Sequence, residues 1–275
     1  MLQDKLKEML QNAVCFDLDA KGKITTGCSK FGGTPDLPRD FVWPRFEGTW
    51  FDGSKKEFPL AFLAQISCKE VHPFDREGKL PSSGMLYFFY EIVTMNWGLK
   101  PEDCGSARVI YCPEGKELAS ADYPEDLWDL FRFPEYALRF DTILDLPDYQ
   151  EMDEIPAGED YESFEKARTQ MGYHPPERRN KLLGYADLIQ DEMRVVCVLN
   201  SLGVSEEEQG EYLAEHWEEV SQEIDDWMLL CQFDSFNRED FELIFGEMGR
   251  LYFYIKKSDL KKLDFDHIWT VLQSE

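Results

Sequence analysis

Three stretches of the first half of the chain recur in the same order in the second half, and this repetition constrains the fold more than any other feature. Chemically matched residues stand at corresponding positions within each pair of stretches. The pairs are residues 29–37 with 180–188, residues 60–66 with 227–233, and residues 84–90 with 249–255. Such repetition is typical of a duplicated structural unit. It predicts an α+β fold with an internal duplication, in which two similar strand-rich halves pack with pseudo-two-fold symmetry.

The repeated stretches are apolar enough to be buried strands. Residues 60–67 and 84–93 are almost continuously apolar, which is typical of strands that are covered on both faces. Residues 251–255 are the corresponding aromatic strand of the second half. The first thirteen residues have the apolar spacing of an amphipathic helix. We therefore expect peripheral helices around a strand-rich core, with the glutamine-bearing strand beside the aromatic strand in each half.

Composition divides the chain into three segments. Residues 1–113 hold the first repeat and the N-terminal helix, residues 114–175 form an acidic connector, and residues 176–275 hold the second repeat. The connector is too rich in apolar side chains for a disordered linker, and a helix is predicted within it over residues 161–171. The second repeat contains an acidic helical insertion at residues 206–226. We expect one compact globule.

The charge of the chain narrows the classes of partner. The 275 residues carry a formal net charge of −26, from 55 Asp and Glu against 29 Lys and Arg. This charge repels phosphates, which argues against nucleic acid as a ligand, and it favours a basic partner. No apolar run reaches the roughly 18 residues of a membrane-spanning helix, and the N-terminus lacks the apolar segment of a signal peptide. We therefore expect a cytoplasmic protein without a membrane partner.

Signatures of metals, cofactors and catalysis are missing from the sequence. The seven cysteines include no Cys-x-x-Cys pair, and the four histidines do not cluster with them. There is no phosphate-binding glycine loop and no Gly-x-Ser-x-Gly nucleophile elbow. We predict free thiols, several of them buried, and no metal or other cofactor. An enzymatic function has no motif to support it.

Two glutamines are the sharpest polar signal, because each is the only amide in an otherwise apolar strand. Gln65 and Gln232 occupy corresponding positions in the repeat. A buried amide must find hydrogen-bond partners, so each glutamine would tie its strand to the backbone of a nearby loop. Alternatively, the two line a ligand site near the pseudo-two-fold axis. Lys30 and Lys181 also correspond, either as solvated turn residues or as groups that point into a shared cleft.

The acidic insertion has the pattern of an amphipathic helix. Ser205 and Glu208 have the spacing of a capping box at its start. An apolar stripe would face the core; it consists of Tyr212 or Leu213, Trp217 and Val220. The glutamates form a candidate partner surface. They are Glu207, Glu208, Glu211, Glu215, Glu218 and Glu219.

Several aromatic residues of the first loop have two interpretations. They are Phe41, Trp43, Phe46, Trp50 and Phe51. These side chains either cap the core or form an exposed contact surface.

The repeated stretches resemble the signature of the YwqG-like family of bacterial proteins, over about residues 28–272. The resemblance is carried by residues 29–38, 43–44, 59–66, 80–81 and 84–89, and by residues 183–185, 190, 229–232 and 246–260. Ala186, Phe245 and Glu247 depart from the family's usual proline, tryptophan and aspartate. The resemblance implies a duplicated α+β fold without an established activity. Family members are reported near bacterial toxin and immunity genes, which implies a cytoplasmic partner-binding role.

Two classes of function remain open at this point. The first is a non-enzymatic binding protein of the immunity type, which recognises a basic protein partner through its acidic surface. The alternative is a small-molecule binder or hydrolase with a cleft between the two repeats. The candidate residues of this cleft are Lys30, Gln65, Lys181, Gln232 and Glu247.

Overall fold

The computed structural model describes residues 2–152, 156, 158–173 and 179–275. The α-helices of this part of the chain are α1 (Leu2–Glu8), α2 (Cys68–Val71), α3 (Tyr161–Gln170), α4 (Arg194–Ser201), α5 (Gln209–Asp226) and α6 (Lys257–Lys262). None of the helices in the described ranges combines the length and the apolar content needed to cross a membrane.

Sixteen strands are formed by the same described residues. The strands of the first half are β1 (Gln11–Asp19), β2 (Lys30–Phe31), β3 (Asp36–Pro38), β4 (Arg45–Thr49), β5 (Lys55–Pro59), β6 (Ala61–Ser67), β7 (Met85–Tyr90), β8 (Ala107–Cys112), β9 (Leu118–Ser120) and β10 (Tyr136–Asp145). Those of the second half are β11 (Asn180–Leu183), β12 (Trp227–Asp234), β13 (Phe236–Asn237), β14 (Glu242–Leu243), β15 (Arg250–Lys256) and β16 (Trp269–Gln273).

Ten of the strands form one antiparallel sheet that curls into a nearly closed, barrel-like layer. Its order is β16-β15-β12-β11-β1-β10-β2-β6-β7-β8. Near the open side, Leu272 of the edge strand β16 donates its backbone N–H to the carbonyl of Trp97, which follows β7 (3.0 Å). The strands β3 and β9, β4 and β5, and β13 and β14 form separate two-stranded sheets. The fold is therefore strand-rich and of mixed α+β class.

The strand order is symmetric about the pair β1 and β10 at the centre of the sheet. On one side of this pair lie β2, β6, β7 and β8, and on the other lie β11, β12, β15 and β16. The glutamine-bearing strand pairs with the aromatic strand in both halves, as β6 with β7 and β12 with β15. Both expected pairings thus occur, and they occur within one continuous sheet.

The concave side of the sheet encloses a core that both halves share. Phe88 of β7 contacts two rings of the second half, Phe233 at 5.7 Å and Phe253 at 5.3 Å between ring centroids. Phe31 of β2 contacts Phe236 at 4.8 Å. Buried aromatic side chains contribute large apolar areas, and edge-to-face contacts add to this stabilisation. Neither half therefore encloses this core alone.

The convex side of each half-sheet is covered by a different element. In the first half, the β4–β5 hairpin and the loop before it pack on a cluster that includes Leu60, Phe62 and Phe89. In the second half, α4 and α5 pack on a cluster that includes Leu229 and Tyr254. The helices α1 and α3 pack together at one end, where Leu6 and Phe164 are fully buried.

The two central strands were not predicted from the sequence. β1 follows the N-terminal helix directly, and β10 lies within residues 114–175, the segment predicted to be a connector. That segment therefore supplies a central strand of the sheet. The helix predicted over 161–171 is confirmed as α3. The predicted boundary between residues 175 and 176 lies outside the described residues.

Candidate functional site

Gln65 is fully buried in β6 and ties that strand to the loop after β2. Its side-chain oxygen accepts the backbone N–H of Asp36 at 2.7 Å. Its amide nitrogen donates to the carbonyl of Cys28 at 2.8 Å and to the Asp36 carboxylate at 2.7 Å. Tyr87 of the neighbouring strand donates its hydroxyl to the Asp36 carbonyl at 2.5 Å. Both N–H groups of the amide are therefore used within the protein.

Lys30 stands opposite Gln65 in the sheet and is also buried. Its ammonium group donates to the carbonyl of Thr34 at 2.8 Å and to the Glu135 carboxylate at 2.6 Å. The Asp36 carboxylate lies 3.7 Å away. Buried ammonium groups need this kind of pairing to offset their lost hydration.

The second half contains the same set of contacts at corresponding residues. Gln232 accepts the backbone N–H of Asp187 at 3.0 Å, and donates to the carbonyl of Arg179 at 2.9 Å and to the Asp187 carboxylate at 2.7 Å. Tyr252 donates its hydroxyl to the Asp187 carbonyl at 2.6 Å. Lys181 stands opposite Gln232 in the sheet. We refer to these contacts and those around Gln65 as the two lysine–glutamine networks.

Lys181 differs from Lys30 in the acids that hold it. Its ammonium group donates to Asp145 at 2.7 Å and to Asp187 at 3.0 Å, and neither Lys181 nor Asp145 has any exposed side-chain surface. Burial lowers the pKa of Lys181, but the carboxylates of Asp145 and Asp187 more than reverse this, so its pKa lies above the ordinary value. Burial raises the pKa of Asp187, and the charges of Lys181 and Arg179 outweigh it, so that pKa is lowered.

A β-bulge lies close to the glutamine in both networks. The pairing register shifts at a β-bulge two residues before each glutamine, at Leu63 in β6 and at Leu230 in β12. The backbone N–H of Gly32 donates to the carbonyl of Leu63 at 2.8 Å. Gly32 has φ +60°, and a Cβ there would approach the carbonyl oxygen of Pro134 to 2.2 Å. A residue with a side chain therefore cannot occupy this turn without displacing the backbone.

The five residues predicted to line a cleft between the repeats do not converge. Lys30 lies with Gln65 and Lys181 lies with Gln232, and the strands β2 and β11 that carry the lysines are separated by β1 and β10. Three strand spacings correspond to about 14 Å. Glu247 is exposed, and its backbone N–H donates to the Ser274 hydroxyl at 2.7 Å. The geometry favours the interpretation of both glutamines as bridges from strand to loop.

All six glutamates of the predicted partner surface are exposed, on α5 and the turn before it. Within the described ranges, no Lys, Arg or His side chain forms an ion pair with any of them. Val220 is buried on the inner side of α5, and Tyr212, Leu213 and Ile224 are partly buried there. The insertion therefore presents an acidic face to solvent.

Two details of the predicted insertion were wrong. Trp217 is 56 % exposed rather than part of the inner stripe, because α5 kinks at His216, where φ is −123° and ψ is 20°. The capping box does not form, since the Ser205 hydroxyl donates to the Glu208 carboxylate at 2.7 Å instead of accepting a backbone N–H. The helix begins at Gln209.

A cleft of about 550 Å³ lies beside the start of α5. One wall is the β4–β5 hairpin, and the other walls are residues 96–103 and the turn at residues 205–207. Its acidic residues are Glu47, Glu102, Asp103, Glu206 and Glu207, and its basic residues are Lys55 and Lys100. Burial raises the pKa of Asp103.

The aromatic residues of the first loop divide between the two predicted roles. Phe41, Trp43 and Phe46 pack on the convex face of the first half, as a cap over its core. Trp50 and Phe51, at the tip of the β4–β5 hairpin, belong instead to a partly exposed group of rings that extends to Trp128. Trp128 belongs to none of the recurring stretches, so only the aromatic content of the sequence could have pointed to it.

In the part of the chain that the structure describes, no group of three His, Cys, Asp or Glu side chains is placed to hold a metal ion. The seven cysteines are free, and four of them are buried: Cys68, Cys112, Cys197 and Cys231. Burial raises the pKa of the Cys68 thiol to about 12. A thiol with a raised pKa is a poor nucleophile near neutral pH.

Comparison with known proteins bears on the family of the chain. No curated protein matches it. The model of one family, described as a domain of unknown function (DUF1963), matches residues 29–274. This span includes Gln65, Gln232 and the lysines opposite them, and every strand of the ten-stranded sheet except β1. The chain therefore belongs to the DUF1963 family.

Proposed function

We propose that this chain is a non-enzymatic binding protein that recognises a basic protein partner through the acidic face of α5. The observation that carries the proposal is the set of six exposed glutamates, none of which has an ion-pair partner in the described ranges. Acidic surfaces steer basic partners toward them and add specificity through complementary charge. The formal net charge of −26 extends this attraction over the whole molecule.

We also propose that the fold arose by internal duplication and that the chain is YwqG-like. The duplication is supported by the glutamine contacts of the two lysine–glutamine networks, which correspond residue by residue, and by the matching β-bulges in β6 and β12. In this view α4 and α5 are an addition to the second unit, inserted where the first unit has the β4–β5 hairpin.

The resemblance to the YwqG-like family suggests a specific form of this function. We propose a bacterial, cytoplasmic protein of the immunity type, whose partner is a cationic toxin. Neutralisation would then follow from charge complementarity along α5 and would need no chemistry. A role in small-molecule binding or hydrolysis has less support, because the polar groups of the two networks already bond within the protein.

The test is binding to the products of neighbouring genes at rising salt concentration. The variant replaces Glu211, Glu215, Glu218 and Glu219 with Gln. A matched control replaces four exposed acids elsewhere, Glu8, Glu114, Glu162 and Glu239, and changes the net charge equally. We expect binding that weakens with salt, weakens at least fivefold more in the α5 variant, and changes less than twofold in the control. Equal loss in both variants, or binding that salt does not affect, would contradict the proposal.

A further inference from the structure

A partly exposed platform of aromatic rings lies at the tip of the β4–β5 hairpin. Trp50 stacks on Phe58 at 4.5 Å between ring centroids, and Trp128 meets Trp50 edge to face at 5.8 Å. Phe131 stacks on Trp128 at 5.7 Å between ring centroids. Together with Phe51 and Leu130, which adjoin these rings in sequence, we call this group the aromatic ledge. Contacts among its rings fix the platform in one arrangement.

The ledge exposes apolar surface that packing does not require. Phe51 is 77 % exposed, Leu130 is 76 % exposed and Trp128 is 47 % exposed. Leu127, one residue before Trp128, is buried at 4 % exposure, so the core ends just beneath the ledge. Grouped exposed apolar side chains with a polar rim mark interaction sites, and Trp is prominent among residues that anchor protein interfaces.

Acidic residues outnumber basic ones around the segment that holds Trp128. Asp126 and Glu57 share one cation, Arg45, at 2.5 Å and 2.8 Å. Asp122 and Glu125 are exposed, and neither forms an ion pair with a described residue. The rim therefore favours an occupant that brings positive charge, and it opposes a second copy of this acidic chain.

The ring faces of the ledge also suit a cation. The ammonium group of Lys56 lies 4.7 Å from the centroid of Trp50, within the range of a cation–π contact. Trp128 offers the same kind of ring, in a segment that also carries the exposed acids Asp122 and Glu125. The segment therefore presents both a ring and carboxylates to a basic partner.

The ledge and the acidic face of α5 lie on either side of the same cleft. Strands β4 and β5 form one wall of the cleft through Glu47, Thr49 and Lys55, and the hairpin ends in Trp50 and Phe51. Glu206 and Glu207, which lead into α5, form the facing wall. The cleft between them carries five acidic residues against Lys55 and Lys100, so a basic segment that runs from the ledge to the helix would cross a net acidic surface.

We propose that the aromatic ledge is the anchoring part of the docking surface, and that it takes a large apolar side chain flanked by Arg or Lys in a basic segment of the partner protein. This inference rests on the proposed function, in which α5 supplies the long-range attraction. The ledge adds the short-range apolar contact that distinguishes one basic segment from another.

The experiment uses two fluorescent sixteen-residue peptides as probes, one of alternating Arg and Leu and one of alternating Arg and Ser. We expect the wild-type chain to bind the Arg–Leu peptide at least tenfold more tightly. Phe51→Ser and Trp128→Ser should each reduce that preference at least fivefold without changing the affinity for the Arg–Ser peptide. Leu144→Ser, which alters a side chain 62 % exposed on β10, is the matched control and should change neither affinity.

Other results would overturn the inference in distinguishable ways. If the ledge variants keep the full preference for the Arg–Leu peptide, the ledge is not the anchor, although α5 can still bind basic partners. If the α5 variant leaves both affinities unchanged, the proposed function fails at its charge step. Concentration-dependent dimerisation that Phe51→Ser abolishes would assign the ledge to a second copy and contradict the inference. Phe51 is exposed enough that its replacement tests the surface without risk to the fold.

Discussion

The two lysine–glutamine networks make the same contacts at their glutamines, but their lysines pair with acids from different parts of the chain. In the first half, a Cβ on Gly33 would lie 2.8 Å from the Cβ of Glu135, whereas in the second half a Cβ on Gly184 would lie 2.7 Å from that of Ala13. Ala13 thus stands where Glu135 stands in the first network. Lys181 cannot obtain a carboxylate from that position, and Asp145 of β10 supplies it instead.

This difference changes how much each network depends on its acid. Glu135 is 38 % exposed at its side chain, and Lys30 also has the Thr34 carbonyl as an acceptor. Asp145 is fully buried against a fully buried Lys181, and it also accepts the backbone N–H of Tyr185 at 3.1 Å. Equal contacts in a sequence repeat therefore do not imply equal energies.

The largest expected effect follows from removing the buried acid. We expect Asp145→Ala to destabilise the fold by about 3–5 kcal/mol, because it leaves the charge of Lys181 only partly compensated in the interior. The matched variant Glu135→Ala should cost about 1 kcal/mol, since its carboxylate is partly solvated. Urea unfolding monitored by tryptophan fluorescence measures both. Equal midpoints for the two variants would contradict the comparison.

The second expected effect is a pH dependence of stability, which arises from Glu151 near the second lysine–glutamine network. Burial raises the pKa of Glu151 from 4.5 to about 8. In the unfolded chain this carboxyl ionises above about pH 4.5, whereas in the folded protein it stays protonated until about pH 8. The buried Glu151 therefore lowers the free energy of unfolding by about 1.4 kcal/mol for each pH unit between about pH 4.5 and about pH 8.

Glu151→Gln keeps the shape of the side chain and removes this titration. We expect the difference in unfolding free energy between the variant and the wild type to grow in favour of the variant from pH 5 to pH 8. Unfolding in urea at four pH values measures it. A difference that stays constant across the window would show that Glu151 does not titrate there.

A smaller loss of stability is expected from a substitution at Gly32, in the turn that follows β2. Gly32→Ala places a side chain at φ +60° and against the Pro134 carbonyl, and we expect a loss of about 2 kcal/mol or more. Leu183 already adopts φ +62° at the corresponding place with its side chain buried. Thermal unfolding should show a lower midpoint for Gly32→Ala, while Gly53→Ala, at an open hairpin turn, serves as a control for the left-handed conformation alone.

The sequence predicted the strands that repeat and missed the two central strands of the sheet, β1 and β10. The apolar runs of β6, β7, β12 and β15 stand out because both faces of these strands are covered. β1 and β10 alternate apolar residues with acids such as Asp17 and Asp141, which lie on the exposed face. The acidic composition of the segment around β10 therefore concealed a strand at the centre of the sheet.

Among the candidate site residues, the sequence likewise indicated those within the repeat and missed those outside it. The repeat identified Gln65 and Gln232, and the aspartates that bond them, Asp36 and Asp187, lie within the matched stretches. Asp145 could not be predicted, because its contact with Lys181 depends on how β10 and β11 pack around β1. The aromatic ledge likewise joins a hairpin tip to a distant segment, and no spacing in the sequence relates Trp50 to Trp128.

The central claim is that the two glutamines are structural bridges, and the unfolding of two variants tests it most directly. Gln65→Leu and Gln232→Leu each remove the acceptor of an aspartate backbone N–H and one donor to the carboxylate of that aspartate, so we expect each to cost about 1–3 kcal/mol. The two costs should agree within about 1 kcal/mol, because the contacts correspond. The measurement is the urea midpoint of each variant against the wild type. Unchanged midpoints would contradict the claim and would assign these glutamines to a binding site.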